Sequence, residues 1–556
     1  MHESNFRYTR RDFLATAAIA AGAAALPFAP ARAAAKYTRY NVTSPEGQKM
    51  LASYAKGVEA MLKLPADHPQ NWFRNSFIHL MDCPHGNWWF YVWHRGYLGN
   101  FERTIRALSG DDNFALPYWD WTQLPQIPDS MFDGVLTPTD QAFAPYTGNL
   151  ALFTSFIKPA LSSYWNTLSS AQRDQLNIRG YTAFENLWND VTGYNADPNI
   201  QAGISGNESY ATTCAARYLS RDNPKLDKAT TYDVSQFVVY SGLLPTEFNN
   251  PVGYLSFTSS KTPSHNSPAG TFSTLEGMPH NLVHNCIGGV GPLDPGPYGN
   301  MTNFLSPVDP IFFLHHANMD RLWDVWTRKQ QNLKLPYLPP APDLKTLSDE
   351  PFLFYVDGKG NYITDGKAGD YLSTDVFEYD YAPGFGENVV TPPATAVSAK
   401  NAAPLARGTV RANAASVAVS NAVIRNHVAD ALPRPLMAQV TVPHPRATSS
   451  ARSFDVLVNA PPGTPAGADS PFFAGTIGFF GNMPGMKMSH DATFVVPLPK
   501  NLQAFTAANA PNPTLGAPKN AKLAATNATT LNIRLVPSNG QSGPAPTIKA
   551  VSVGAS

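Results

Sequence analysis

The sequence predicts a mainly α domain, a helix bundle with a metal centre inside it, joined to a C-terminal all-β sandwich or barrel. Three observations carry this reading. First, His94, Leu98, Phe101, Ile105 and Leu108 recur at helical steps, and Phe312, His316, Met319, Trp323 and Trp326 repeat the spacing; each run puts a histidine on the apolar stripe of a helix. Second, His280 and His284 stand one turn apart and project from one face of a third helix. Helices that converge with histidine on their buried sides can build a metal site in a bundle core. Third, the period shortens after about residue 436, where 437–442, 454–458 and 493–498 read as strands between Pro/Gly turns.

In chain order, residues 1–33 read as a targeting segment. Arg10-Arg11 precede a small, weakly apolar run over 15–26, and Ala31-Arg32-Ala33 fits a small-residue cleavage site. The twin arginine points to the bacterial route that exports folded proteins, so a periplasmic or secreted location is expected. The run is too short to span a membrane, and no other stretch is long and apolar enough. Residues 34–335 form the helical domain, in which Pro279 suits the first position of the His280 helix. Residues 336–384 read as a connector, with prolines at 336, 339, 340 and 342 followed by polar turns and Asp370-Tyr371-Leu372. Residues 385–435, rich in Ala, Asn, Val and Pro without a helical period, read as a linker. Residues 436–556 are the β domain. No solenoid-type repeat is present.

Composition narrows the partners. The chain has 556 residues, and 41 Lys+Arg against 41 Asp+Glu give zero formal charge, which argues against nucleic acid or an anionic membrane as partner. With 43% hydrophobic residues it can fill more than one core despite its 50 prolines. The three cysteines, Cys83, Cys214 and Cys286, exclude a disulfide scaffold. Pairing of Cys214 with Cys286 is left open, because sequence says nothing of their proximity.

Seven of the 13 histidines lie in two clusters. Six divide into two sets, His79, His85, His94 and His280, His284, His316; His315 is not separable from His316 by periodicity. Neutral imidazole suits copper, zinc, iron and nickel. No Asp or Glu sits among these positions, whereas hydrolytic two-metal sites recruit carboxylates. An all-imidazole pair adds no negative charge and so tolerates two Cu(I) ions. A site for two copper ions that binds O2 is therefore expected.

Both clusters resemble the copper-binding regions of the tyrosinase, polyphenol oxidase (catechol oxidase) and haemocyanin family. The first runs from His85 through Trp93-His94-Arg95 to Glu102; the second is Asp309-Pro310-x-Phe312-Phe313-x-x-His316-x-x-x-Asp320. Pro117-Tyr118-Trp119-Asp120-Trp121 also fits, Asp370-Tyr371-Leu372 resembles the Asp-Trp-Leu module of plant polyphenol oxidases, and 453–459 resembles their C-terminal Lys-Phe-Asp-Val module. The resemblance implies a type 3 copper pair, with His316 and not His315 as the sixth ligand and His315 behind it. It implies a thioether between Cys83 and His85, the alternative being a small buried thiol. It gives Glu276 the holding of a water that, with Asn281 beside it, takes a phenol proton; the alternative is charge complementarity at a helix start. Phe304 resembles the aromatic gate above the copper pair, or is a core Phe. Asp320 either orients a ligand imidazole or pairs with Arg321 at the surface. Met483, Met486, Met488 and His490 are either a transient copper-loading site or an adaptable turn. The plant enzymes carry N-terminal disulfides that this chain lacks, so its N-terminal arm must be held otherwise.

The function implied is oxidation of o-diphenols to o-quinones by O2, with monophenol hydroxylation left open. The partners are then O2 and a small phenol. The C-terminal domain would shield the site until the linker is cut. An o-aminophenol oxidase and a haemocyanin-like O2 carrier are the competing readings. A targeting segment joined to a plant-enzyme module layout argues against the carrier. Oligomeric state is not expressed in the sequence.

Overall fold

A computed structural model describes residues 35–192, 217–249, 255–289, 299–391, 406–429, 435–443, 452–481, 491–506, 527–538 and 544–555. The targeting segment, Cys214 and the Met483–Met488–His490 cluster lie outside these residues. Among the described residues, no helix is long and apolar enough to cross a membrane.

Local chemistry sets the helix ends. Helix α1 (Pro45–Lys63) starts with Ser44 accepting from the Gly47 N–H and Pro45 in its first turn. Helix α2 (Trp72–Asp82) is capped by Asn71. Helix α3 (Phe90–Ser109) stops at Gly110, whose φ of 72° an L side chain rarely adopts. Helix α4 (Ser170–Arg179) opens with a Ser169/Gln172 capping box. Then come α5 (Lys228–Asp233), α6 (Asn281–Gly288) and α7 (Ile311–Asn332). The stripes read from the sequence face inward. Phe101 of α3 stacks on Phe313 of α7 with centroids 3.5 Å apart, and Ile105 presses on Gly57 of α1, where a Cβ would come within 2.7 Å.

The N-terminal arm is held by pairing and by charge. Strand β1 (Tyr37–Arg39) and, far along the chain, β3 (Tyr379–Tyr381) pair in parallel. Arg39 is fully buried, donates to Glu102 (2.8 Å) and Tyr381 (2.8 Å), and lies over the Tyr379 ring. Asp320 closes the cluster: it accepts from Arg95 (2.8 Å), from Tyr381 (2.7 Å) and from Tyr379. Neither expectation for Asp320 holds. It is buried, and its partners are these arginines and tyrosines, not a ligand imidazole and not a surface pair with Arg321.

The C-terminal part is a sandwich of two five-stranded sheets. One has the order β2 (Thr271–Phe272), β10 (Asp491–Pro497), β7 (Leu436–Pro443), β12 (Ala550–Ala555), β4 (Ala406–Arg407); the other has β5 (Thr409–Arg411), β6 (Ala414–Ser420), β11 (Ala528–Pro537), β8 (Ser453–Val458), β9 (Phe473–Gly478). Val440, Phe494 and Val553 of the first meet Val417, Val456 and Ile533 of the second in one core. The linker reading of 385–435 fails over its second half: β4, β5 and β6 are in register with their neighbours, and a short helix, Asn421–Ala429, follows. The run 414–420 does alternate, but its alanines have low strand propensity and hid the period. Strand β2 belongs to the helical part of the chain yet pairs in parallel with β10, so the first sheet is shared between the two regions.

Candidate metal centre

The six predicted histidines come together. His79 rises from α2, His94 from α3, His284 from α6 and His316 from α7, while His85 sits on the loop between α2 and α3. His280 differs from expectation. Residues Glu276–His280 form a π turn, so Pro279 lies inside that turn and not at a helix start. The wider turn re-aims His280 at the junction with α6, and its ring still meets that of His284 at 4.6 Å. All six are buried; His85, at 9%, is the most exposed.

The hydrogen bonds behind the rings decide which nitrogen is bare. His79 donates from Nδ1 to the Phe304 carbonyl (2.7 Å), His94 to the Phe90 carbonyl (2.7 Å), His284 to the Met301 carbonyl (2.8 Å), and His280 to the Asn281 amide oxygen (2.8 Å). Burial pushes all six imidazoles below their ordinary range, His280 to about 3, so they are neutral and each carries one proton. With that proton on Nδ1, the Nε2 atoms of His79, His94, His280 and His284 keep their lone pairs. The Nε2 atoms of His79 and His94 face each other at 3.4 Å, those of His284 and His316 at 3.1 Å, and those of His85 and His280 have no partner. Two bare lone pairs turned on one another in a dry interior, as on His79 and His94, call for a cation between them. The donor set, all imidazole, fits copper.

His315 lies in the same group by distance. Its Nδ1 accepts the Trp121 indole N–H (3.1 Å). An indole N–H only donates, so the proton of neutral His315 is on Nε2 and neither nitrogen has a free lone pair. His316 has no such donor, and it stacks on His94 at 4.2 Å, between the two sets.

The remaining predicted residues lie around this centre. Cys83 is a free buried thiol with Sγ 3.5 Å from His85 Nδ1, and burial pushes it up to about 12. Cys286 is likewise buried and unbridged, and accepts weakly from the Asp227 N–H. Glu276 is buried and accepts from the Gly86 N–H (2.5 Å) and the Ser259 hydroxyl; burial pushes its carboxyl up to about 8. Asn281 is engaged on both sides, since its amide nitrogen donates to the Gly478 carbonyl of β9 (2.8 Å). Phe304 lies 5.2 Å from His85 and supplies the carbonyl that orients His79.

Sequence reasoning missed Phe480. It follows β9 and seats its ring 4.2 Å from His284, 4.9 Å from His85 and 5.5 Å from His280. The C-terminal sandwich thus puts an aromatic ring over both sets of histidines. Phe479-Phe480-Gly481 breaks the strand alternation, which was the available signal.

A helical two-region fold with imidazole-only sites for two metals defines a copper protein of the type 3 class. The description "Common central domain of tyrosinase" matches residues 48–329, and the chain belongs to the tyrosinase family, which carries a type 3 dicopper centre. It is 26% identical over 351 residues to the chloroplastic polyphenol oxidase of Vitis vinifera, covering 60% of this chain and 45% of the relative. It is 25% identical over 321 residues to tyrosinase HcTyr1 of Hahella sp. (strain CCB-MM4), covering 57% and 51%. The chain spans about half the length of these curated relatives. A latent aurone synthase (polyphenol oxidase) from natural source shares the fold, with a TM-score of 0.52 at 18% identity over 95% of this chain and 91% of that one.

Proposed function

We propose that this chain is a polyphenol oxidase that converts o-diphenols to o-quinones with O2. His79, His85 and His94 would hold one copper, and His280, His284 and His316 the other. The observation that carries this is the proton-free Nε2–Nε2 contact of His79 and His94 at 3.4 Å, beside the bare Nε2 atoms of His280 and His284 in the second set. When bound, the copper pair supplies the redox chemistry: two diphenols each give up two electrons and two protons, and one O2 becomes two waters. The protein supplies the rest. Phe90, Phe304 and Phe312 wall the histidines with apolar surface that excludes water and accepts a ring. Phe304 is the gate at His85. Glu276, with its carboxyl near 8, is placed to act as a proton acceptor as pH rises toward that value. A thioether from Cys83 to His85 would fix the one ligand that lies on a loop. Phe480 and the sandwich behind it would shield the site, and a cut in the chain after residue 391 would be the first step of activation. The twin arginine supports export; replacing Arg10 and Arg11 by Lys should hold the protein in the cytosol, and undiminished export would count against that.

Copper-loaded protein offered a monophenol, an o-diphenol and an o-aminophenol tests the reading. Two coppers per chain, diphenol turnover, and a Cys83–His85 peptide lighter by two hydrogens are expected. A single ion, or reversible O2 uptake without diphenol consumption, would replace the oxidase by a different site or by a carrier. Turnover of the o-aminophenol alone would change the substrate class.

A further inference from the structure

A cavity of about 420 Å³ opens beside His85. Phe304 and Phe480 form its apolar side; Asn177, Arg179 and Asn266 lie on its polar side, and among the described residues no carboxylate lines it. Arg179, at the C-terminal end of α4, is only 7% exposed. Its Nη1 donates to the Cys83 carbonyl (2.7 Å) and the Asn266 amide oxygen (3.2 Å), and its Nη2 to Cys83 Sγ (3.2 Å). None of the three acceptors is a carboxylate. Among the described residues, Nε has no acceptor, and Nη2 has one for its two N–H groups. Nε and Nη2 form the side-on edge with which a guanidinium grips a carboxylate.

Among the described residues, no carboxylate pairs with this charge. The adjacent Asp82 carboxylate is taken by His265 (2.9 Å), the Trp93 indole (2.8 Å) and Asn266 (3.3 Å). A buried guanidinium with an unused donor edge is unfavourable unless something completes it. The guanidinium lies over the Phe304 ring at 4.8 Å, and that ring is 5.2 Å from His85. One aromatic side chain therefore separates the cation from a candidate copper ligand.

We propose that Arg179 sets substrate specificity: the phenols this site takes carry a carboxylate on a short side chain, which the Nε/Nη2 edge binds while the ring lies against Phe304 at His85. This rests on the phenol-oxidase reading above. An arginine that only fastens the Cys83 loop would need Nη1 and Nη2 alone.

Two measurements on the copper-loaded full chain test it. In turnover, dihydroxyphenylpropanoate should have a lower KM than methylcatechol, and a catechol amine a higher one. Arg179→Gln should cut the propanoate-to-methylcatechol ratio of kcat/KM about tenfold through KM, with Arg179→Lys in between. In calorimetry, phenylpropanoate, which has no phenol to oxidise, should bind more tightly than phenylpropanamide. Arg179→Gln should weaken the acid about tenfold, and Asn177→Asp, which adds a carboxylate at the exposed rim without touching Cys83, should weaken it too. Equal binding of acid and amide, or a ratio in Arg179→Gln within about twofold of wild type, would overturn the assignment and leave Arg179 as a loop fastener. Absence of any diphenol turnover in the uncut and in the cut chain alike would strike at the oxidase reading itself, and the calorimetric result would still decide on the carboxylate site.

Discussion

At the scale of single residues, proton positions carry most of the argument. Glu276 is the clearest case. Its pocket raises its carboxyl to about 8, so the proton-accepting form grows as pH rises toward that value. If it takes the phenol proton, monophenol hydroxylation should climb with pH over that range. Glu276→Gln should remove the climb and lower hydroxylation about a hundredfold while diphenol oxidation falls far less. Equal losses in the two activities would assign Glu276 to fixing the Gly86 loop. His265 gives the opposite sign of coupling. Burial alone would push it down, but Asp82 and Glu350 on either side outweigh that and raise it to about 9. A histidine raised above an ordinary value near 6.5 contributes stability that is whole below about pH 6.5 and is lost as pH rises through 9, about 3 kcal/mol in all. Denaturant midpoints of wild type and His265→Gln should therefore converge between pH 6.5 and 9; a constant gap would show that His265 does not titrate there. The clustered histidines were legible in the sequence because their spacing and their apolar neighbours are local facts. His265 was not: its two carboxylates come from 183 and 85 residues away.

At the scale of elements, helices were easier to read than strands. The stripes of α3 and α7 announced themselves because four or five large apolar residues fall on one face. The π turn at Glu276–His280 could not be seen, since an i, i+4 pair looks the same on either side of such a turn. Strands β6 and β12 are rich in Ala, Ser and Gly, and their order is imposed by register with β11 and β7 more than by propensity. The junction of α3, α7, β1 and β3 shows how elements are pinned. There, burial would push the Asp320 carboxyl up, but Arg95, Arg39 and the Tyr379 and Tyr381 hydroxyls bring it below the usual range. Asp320→Asn keeps the shape and leaves Arg95 without its carboxylate partner, which should cost about 3–5 kcal/mol. Because Asp320 stands one turn after His316, copper content of the variant should fall together with its urea midpoint. A midpoint within about 0.5 kcal/mol of wild type would mean that Glu102 alone balances the cluster.

At the scale of the whole molecule, the question is what one cut in the chain would do. The sandwich does not rest on the helical domain through the connecting segment alone. Strand β9 is buried on both faces. Asn281 and Asn285 donate to the Gly478 and Phe479 carbonyls, Asp233 of α5 accepts from the Thr476 N–H, and β2 completes the sheet that contains β10. A chain nicked after residue 391 therefore keeps Phe480 in place, and nicking at neutral pH should leave the two pieces together and diphenol turnover low. Asp233 and Asp455, both touching Thr476, are pushed up by burial. A carboxyl raised by docking favours the docked state at low pH and weakens it as pH rises. Nicked protein should thus release the sandwich and gain turnover on the alkaline side, while Asp233→Asn should stay docked there. Phe480→Ala should raise diphenol turnover of the uncut chain about tenfold without changing copper content, since it removes the ring over the histidines and leaves the interface bonds intact. Full turnover in the uncut wild type, or separation of the pieces at neutral pH, would show that the sandwich is a passenger on the helical domain and that Phe480 does not block the approach of a phenol.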